Sequence, residues 1–183
     1  MTKEENKALI ERMPYLLPRN VFTDKIVDNY DYEYIRGEYE LPDGWFRLFL
    51  QMCEDIREPL KKADQLESFR FSQIKEKWGV MECYNFGAPK MVHDIIDDYS
   101  YVSEFVCCCC GRPATIRTTG WVESYCDNCF KGSTQDDYKK LEFDPTHVFT
   151  SYPRENDYKP ITVERDCSDI WKRYLDWSNK TND

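Results

Sequence analysis

The chain has 183 residues and a formal net charge of −9. That length fits one compact domain or a small domain with an added module, and the charge opposes a surface built to hold phosphate backbones. No run of about 18 apolar residues occurs, which excludes a membrane-spanning helix. The opening stretch MTKEENKALIERM is charged and lacks an apolar core, so no secretory signal is expected and the cytoplasm is the expected compartment.

With 5 Trp, 13 Tyr and 10 Phe, aromatic side chains supply much of the area that can be buried. Thr2 and Glu5 form a capping-box pattern that predicts a helix over residues 2–13, stopped before Pro14. Residues 14–20 read as a loop. In the acidic stretch DNYDYEYIRGEYE, Tyr30, Tyr32 and Tyr34 alternate with Asp31, Glu33 and Ile35, which puts the three tyrosines on one face of a strand. Two readings stand for them: a half-buried strand with a solvated charged face, or an aromatic acidic surface for a partner.

Asp43-Gly44 opens a second helix, in which Trp45, Leu48, Phe49, Met52 and Ile56 recur at steps of three and four and predict a core stripe. Pro59 is expected to end or kink it. Cys53, beside the stripe, reads as a small buried hydrophobe. The run FRFSQIKEKWGVMECYNF reads as a β-hairpin meeting near Trp78-Gly79. Gln73, Lys75 and Lys77 share one face of its first strand, as a solvated face or as a site for an anion or a partner's carboxylate.

Pro89 opens a third helix, with Val92, Ile95, Ile96, Tyr99, Val102 and Val106 on its apolar side, that runs directly into a cysteine cluster. Asp94, Asp97 and Asp98 lie on its other side beside His93. They form a wet helix surface or, at spacings of i, i+3 and i+4, a place for a cation.

The chain contains 9 cysteines, six of them within VCCCCGRPATIRTTGWVESYCDNCF. Without a secretion signal, reduced thiols used for metal are the expectation. Cys107-x2-Cys110, then 15 residues, then Cys126-x2-Cys129 is the spacing of a four-thiolate zinc site. Gly111 lets the backbone turn after the first pair. Ala114 to Thr118 and Trp121 to Tyr125 are β-prone and flank Thr119-Gly120, which predicts a hairpin that returns the second pair to the first. Cys108 and Cys109 read as bystanders, since using either would break the two-residue spacing; a vicinal disulfide or an alternative ligand is the other reading. The H-x-E and P-C-x-x-C pattern of zinc deaminases is absent, because Asp94-Ile95 follows His93 and Val106 precedes Cys107. One structural Zn2+ with no open position is therefore expected.

Residues 131–160 read mostly as loop, with a short strand at Ile161 to Val163. A last helix near 167–178 is capped by Asp166 or Ser168, and Ile170, Trp171, Tyr174, Leu175 and Trp177 are spread around it. The predicted organisation is an α+β domain over 1–106, a zinc ribbon over 107–130 and a C-terminal extension over 131–183.

Asp43-Gly44-Trp45 with Leu48 and Cys53, Gln73-Ile74-Lys75-Glu76-Lys77-Trp78-Gly79, Ser103, Cys107-x2-Cys110-Gly111, Gly120-Trp121 and Cys126-Asp127-x-Cys129 together carry a resemblance. Over residues 9–130 the chain resembles a family of small, mostly uncharacterised proteins of bacteria and their phages. It departs from the family at Trp78-Gly79-Val80, where Phe-Gly-Gly is usual, and at Cys108, where a Glu is common. The resemblance implies a zinc ribbon joined to a small α+β domain, and no reaction.

The function expected first is non-catalytic: an adaptor or inhibitor that binds another protein, with Tyr30, Tyr32, Tyr34, Gln73, Lys75, Lys77 and Trp121 as candidate contacts. A setting in phage–host or toxin–immunity conflict is implied only by the resemblance. One alternative is a nucleic-acid module using Arg112, Arg117 and Lys131, with Trp121 or Tyr125 stacking on a base. The other is a carboxylate-based hydrolase, for which His93 and His147 are the available neutral-pH bases.

Overall fold

A reciprocal cap starts the chain: the Thr2 hydroxyl accepts from the Glu5 N–H, and the Glu5 carboxylate accepts from the Thr2 N–H at 2.7 Å. Helix α1 (Lys3–Arg12) follows. It precedes α2 (Phe46–Lys62), the hairpin β1 (Phe71–Lys77) and β2 (Val80–Asn85), and α3 (Lys90–Ser103). Then come β3 (Ile116–Thr118), β4 (Ser124–Tyr125), β5 (Tyr138–Lys140), β6 (Thr146–Ser151), β7 (Ile161–Asp166) and α4 (Ser168–Lys180). These elements belong to a computed structural model that describes residues 2–20, 22–23, 25–27, 41–132, 137–151 and 156–180. The class is α+β, with three small antiparallel sheets ordered β1-β2, β4-β3-β5 and β6-β7. Tyr30, Tyr32 and Tyr34 lie outside the described residues.

The predicted stripe of α2 is the centre of the core: Trp45, Leu48, Phe49, Met52 and Ile56 are all fully buried. Cys53 is buried among them, and burial pushes its thiol well above the ordinary value, so it behaves as an apolar residue. Pro59 does not end α2; the helix runs on to Lys62 because Leu60, one residue later, is drawn into the core. The hairpin leans on α3 through Ser103, whose hydroxyl accepts from the Met81 N–H at 2.8 Å and donates to the Ser100 carbonyl at 2.5 Å.

The hairpin turns through Trp78 and Gly79 with φ of +57° and +73°, so both central residues are left-handed, as a two-residue type I′ turn requires. The strand face holds Gln73 and Lys77 exposed and Lys75 half-buried, with its ammonium 5.4 Å from the Tyr84 ring centre. Ile74, on the other face, is buried.

The stretch read as loop contains two strands, β5 and β6, while the strand expected at Ile161 to Val163 is present as β7 and runs on to Asp166. β5 adds to β3 as the third strand of the ribbon sheet, and β6 pairs with β7 over six residue pairs. Neither was apparent from local pattern, because the strands are mostly polar and half-exposed. Tyr174 and Cys167 of the C-terminal region are fully buried in the same core as α2.

Asp94, Asp97 and Asp98 converge on Arg165 from β7. Its guanidinium lies 2.6 Å from Asp98, 3.0 Å from Asp94 and 3.6 Å from Asp97, and 3.6 Å from the Phe149 ring centre. The cation that these carboxylates share is this arginine, which corrects the metal reading. Burial raises Asp97 and Asp98 above the ordinary carboxylate value while Arg165 pulls them down. Arg165→Met is expected to cost about 2–3 kcal/mol, because it leaves half-buried carboxylates facing one another. In the variant the raised values rise further, so acid restores stability by protonating them. Denaturant melts at falling pH should therefore show the deficit narrowing below neutrality; a pH-independent deficit would contradict this account.

Candidate metal centre

Cys107 stands where the chain leaves α3 and enters a tight loop. The Cys107 N–H donates to the Arg112 carbonyl at 2.8 Å, and the Gly111 N–H returns to the Cys107 carbonyl at 3.0 Å. Gly111 has φ +74°, the left-handed conformation its lack of a Cβ permits. The second loop repeats the device: the N–H groups of Cys129 and Phe130 donate to the Cys126 carbonyl at 3.0 and 3.1 Å. Between the loops, β3 pairs with β4 through Ile116–Tyr125 and Arg117–Ser124, which brings the second pair back beside the first.

As a result the sulfurs of Cys107, Cys110, Cys126 and Cys129 all lie within 4.8 Å of one another, and those of Cys110 and Cys126 are 3.6 Å apart. Metal–thiolate bonds of about 2.3 Å in a tetrahedron place sulfurs about 3.8 Å apart. The donor set and spacing fit one tetrahedrally held metal ion. Among the described residues this is the one cluster of His, Cys, Asp or Glu side chains able to hold a metal. Burial pushes the Cys126 thiol up, but the N–H groups of Cys129 and Asn128 and the neighbouring thiols outweigh it, and it falls below the ordinary value. Donors aimed at sulfur favour the thiolate, the form that ligates metal.

The nine cysteines are all free thiols. Cys108 and Cys109 have sulfurs 3.9 Å apart, so no vicinal disulfide joins them. Cys108 is buried in the core and Cys109 is exposed.

Three contacts seat the first loop on the helical core. The Gly44 N–H donates to the Cys108 carbonyl at 2.8 Å, the Trp45 indole N–H to the Val106 carbonyl at 2.9 Å, and the Tyr174 hydroxyl to the Gly111 carbonyl at 2.6 Å. A Cβ at position 44 would stand 2.0 Å from the Cys107 carbonyl oxygen and 2.5 Å from the Gly111 nitrogen. Backbone lies on backbone here, which gives Asp43-Gly44-Trp45 its structural meaning. Tyr174 could not have been found from sequence, since nothing local ties α4 to a loop 63 residues earlier.

The ribbon also grips the β1–β2 turn. Arg117 donates to the carbonyls of Trp78 and Gly79 at 3.0 and 3.3 Å and pairs with Glu104 at 3.1 Å. A Cβ on Gly79 would sit 3.0 Å from Val122. Trp78 and Trp121, adjoining these contacts, are 71% and 76% exposed. Arg117 is thus committed to holding the turn, and Arg112 and Lys131 are exposed. His93 is exposed on α3, while His147 stacks on Tyr101 with ring centres 4.0 Å apart. The two histidines are not brought together with carboxylates in a cleft among the described residues.

Comparison with protein-family models, with curated proteins and with solved structures returned no match to the chain. Among the described residues no helix is long and apolar enough to cross a membrane.

Proposed function

We propose that the chain is a zinc-stiffened, non-catalytic module that binds another protein as an adaptor or inhibitor. Zinc is the ion favoured by four thiolates in tetrahedral spacing. Four protein sulfurs complete that shell and leave no position for a reacting water, so the metal's role is to hold the two loops together.

The observation that carries the reading is the pair of exposed indoles, Trp78 and Trp121, flanking the joint where the hairpin turn meets the ribbon. Large exposed aromatics on rigid turns make contact area at low entropic cost. Lys77, exposed beside Trp78, suits a partner whose apolar surface is edged by carboxylates. The same indoles favour a second reading, stacking on single-stranded nucleic acid, against which the charge of −9 weighs.

The test is a double variant, Trp78→Asn with Trp121→Ser. Asn at a left-handed position followed by Gly suits a type I′ turn, so the melting temperature should stay within about 2 °C. Crosslinking in the native host should recover a stoichiometric protein with the wild type and lose it with the variant. A partner that survives the double substitution would overturn the assignment of this surface. A salt-sensitive electrophoretic shift lost in the same variant would favour the nucleic-acid reading instead.

A further inference from the structure

Helices α1, α2 and α4 enclose a cleft of about 380 Å³, at the small end of the range of roughly 300–1,000 Å³ found for ligand pockets. Leu9 and Leu50 give it apolar walls, and Trp177 stands beside them. Its polar lining is unusual for so acidic a chain: three arginines, at 12, 47 and 173, against Glu54 and Asp55.

The acids are already engaged. Arg173 grips Asp55 with both terminal nitrogens, at 3.0 and 2.7 Å, and the Tyr99 hydroxyl donates to Asp55 at 2.6 Å. Glu54 is paired with Arg12. Arg47 differs from both other arginines: its guanidinium lies 5.2 Å from the Trp177 ring centre, and no carboxylate among the described residues pairs with it. Counted over the described residues, the cleft therefore holds one uncompensated positive charge, resting on an indole and bordered by leucines.

We infer that this cleft binds a small organic carboxylate with an apolar body, its anionic end at Arg47 and its body against Trp177, Leu9 and Leu50. The planar guanidinium fork matches a carboxylate, and stacking on the indole pre-orients it. A single free cation beside two acids suits a monoanion. A phosphate dianion would meet the negative charge of Glu54 and Asp55 with too little positive charge to offset it. This site is independent of the paired indoles at the ribbon joint, and the two proposals stand or fall separately.

The test uses the full metal-loaded chain and two isosteric probes, 4-phenylbutyrate and its neutral amide, 4-phenylbutanamide. The readout is the Trp177 indole N–H signal in a proton–nitrogen correlation spectrum, assigned with Trp177→Phe. The acid should shift that signal saturably, with the amide at least about tenfold weaker, as loss of a charge-assisted pair implies. Arg47→Gln should weaken the acid by a similar factor, with Arg47→Lys in between and the melting temperature unchanged, since Arg47 is exposed. No saturable shift, equal binding of acid and amide, or tighter binding of inorganic phosphate than of the acid would overturn the proposal. The acid–amide comparison needs no variant, so a folding defect cannot blur it.

Discussion

Stripping the metal with a chelator, or replacing Cys126 by serine, is expected to release the ribbon from the core and melt the protein. Four-thiolate zinc contributes roughly 10–16 kcal/mol of apparent folding free energy in small modules, as much as the whole stability of a typical domain, about 5–15 kcal/mol. The ribbon has little else to hold it: β3 and β4 share two residue pairs, and β5 adds three. The loss would spread, because Gly44, Trp45 and Tyr174 bind carbonyls of the first loop and would each lose a buried partner. Elemental analysis should find one zinc per chain in the wild type and a strongly reduced content in Cys126→Ser. Cys109→Ser is the control: its thiol is exposed and outside the four-sulfur cluster, so it should retain the full complement. Full metal content in Cys126→Ser, or loss of metal in Cys109→Ser, would reassign the ligands. Iron in place of zinc would keep the geometry and change the ion.

The second large effect is expected at Gly44, which has no thiol and touches no metal. Gly44→Ala must move either the start of α2 or the first loop, since the added methyl would sit 2.0 Å from one backbone oxygen and 2.5 Å from a backbone nitrogen. Neither atom belongs to a flexible side chain that could step aside. Overpacking of this kind costs about 3 kcal/mol, a fall of roughly 6–12 °C in melting temperature for a chain of this size. Gly120→Ala provides the comparison, because a Cβ there meets nothing within 4 Å, and it should shift stability by less than about 0.5 kcal/mol. The metal affinity of Gly44→Ala, measured by competition with a chromogenic chelator, should fall as well, since the displaced loop carries two of the ligands. Equal melting temperatures for the two variants would mean that the close approach at Gly44 does not constrain the loop.

Legibility in the sequence followed the range of each signal. The cap at Thr2, the stripe of α2 and the Trp78-Gly79 turn depend on residues a few positions apart, and each is seen where its spacing places it. The four thiols were readable at longer range because a metal ligand set has fixed chemistry and few spacings. Arg165 was not readable. Nothing around it marks it as the counter-ion of a helix some 67 residues earlier, and only the pairing of β6 with β7 delivers it there. β5 escaped for a related reason: Tyr138-Lys139-Lys140 has no apolar alternation, and its place is set by an existing sheet edge. Of the candidate contacts, Lys77 was readable only as one of three polar residues on a strand face, and Trp121 only as an aromatic of the ribbon. That the turn before Gly79 abuts the strand after Trp121 is a tertiary fact carried by Arg117.

The hydrogen bond from Tyr174 to Gly111 also bears on the order of assembly during translation. Helix α4 is the last described element to leave the ribosome, so both thiol loops are exposed to metal before the lid over Gly111 exists. A nascent chain paused ahead of residue 168 would carry a loaded ribbon on an open helical face, and the closing step would be docking of α4.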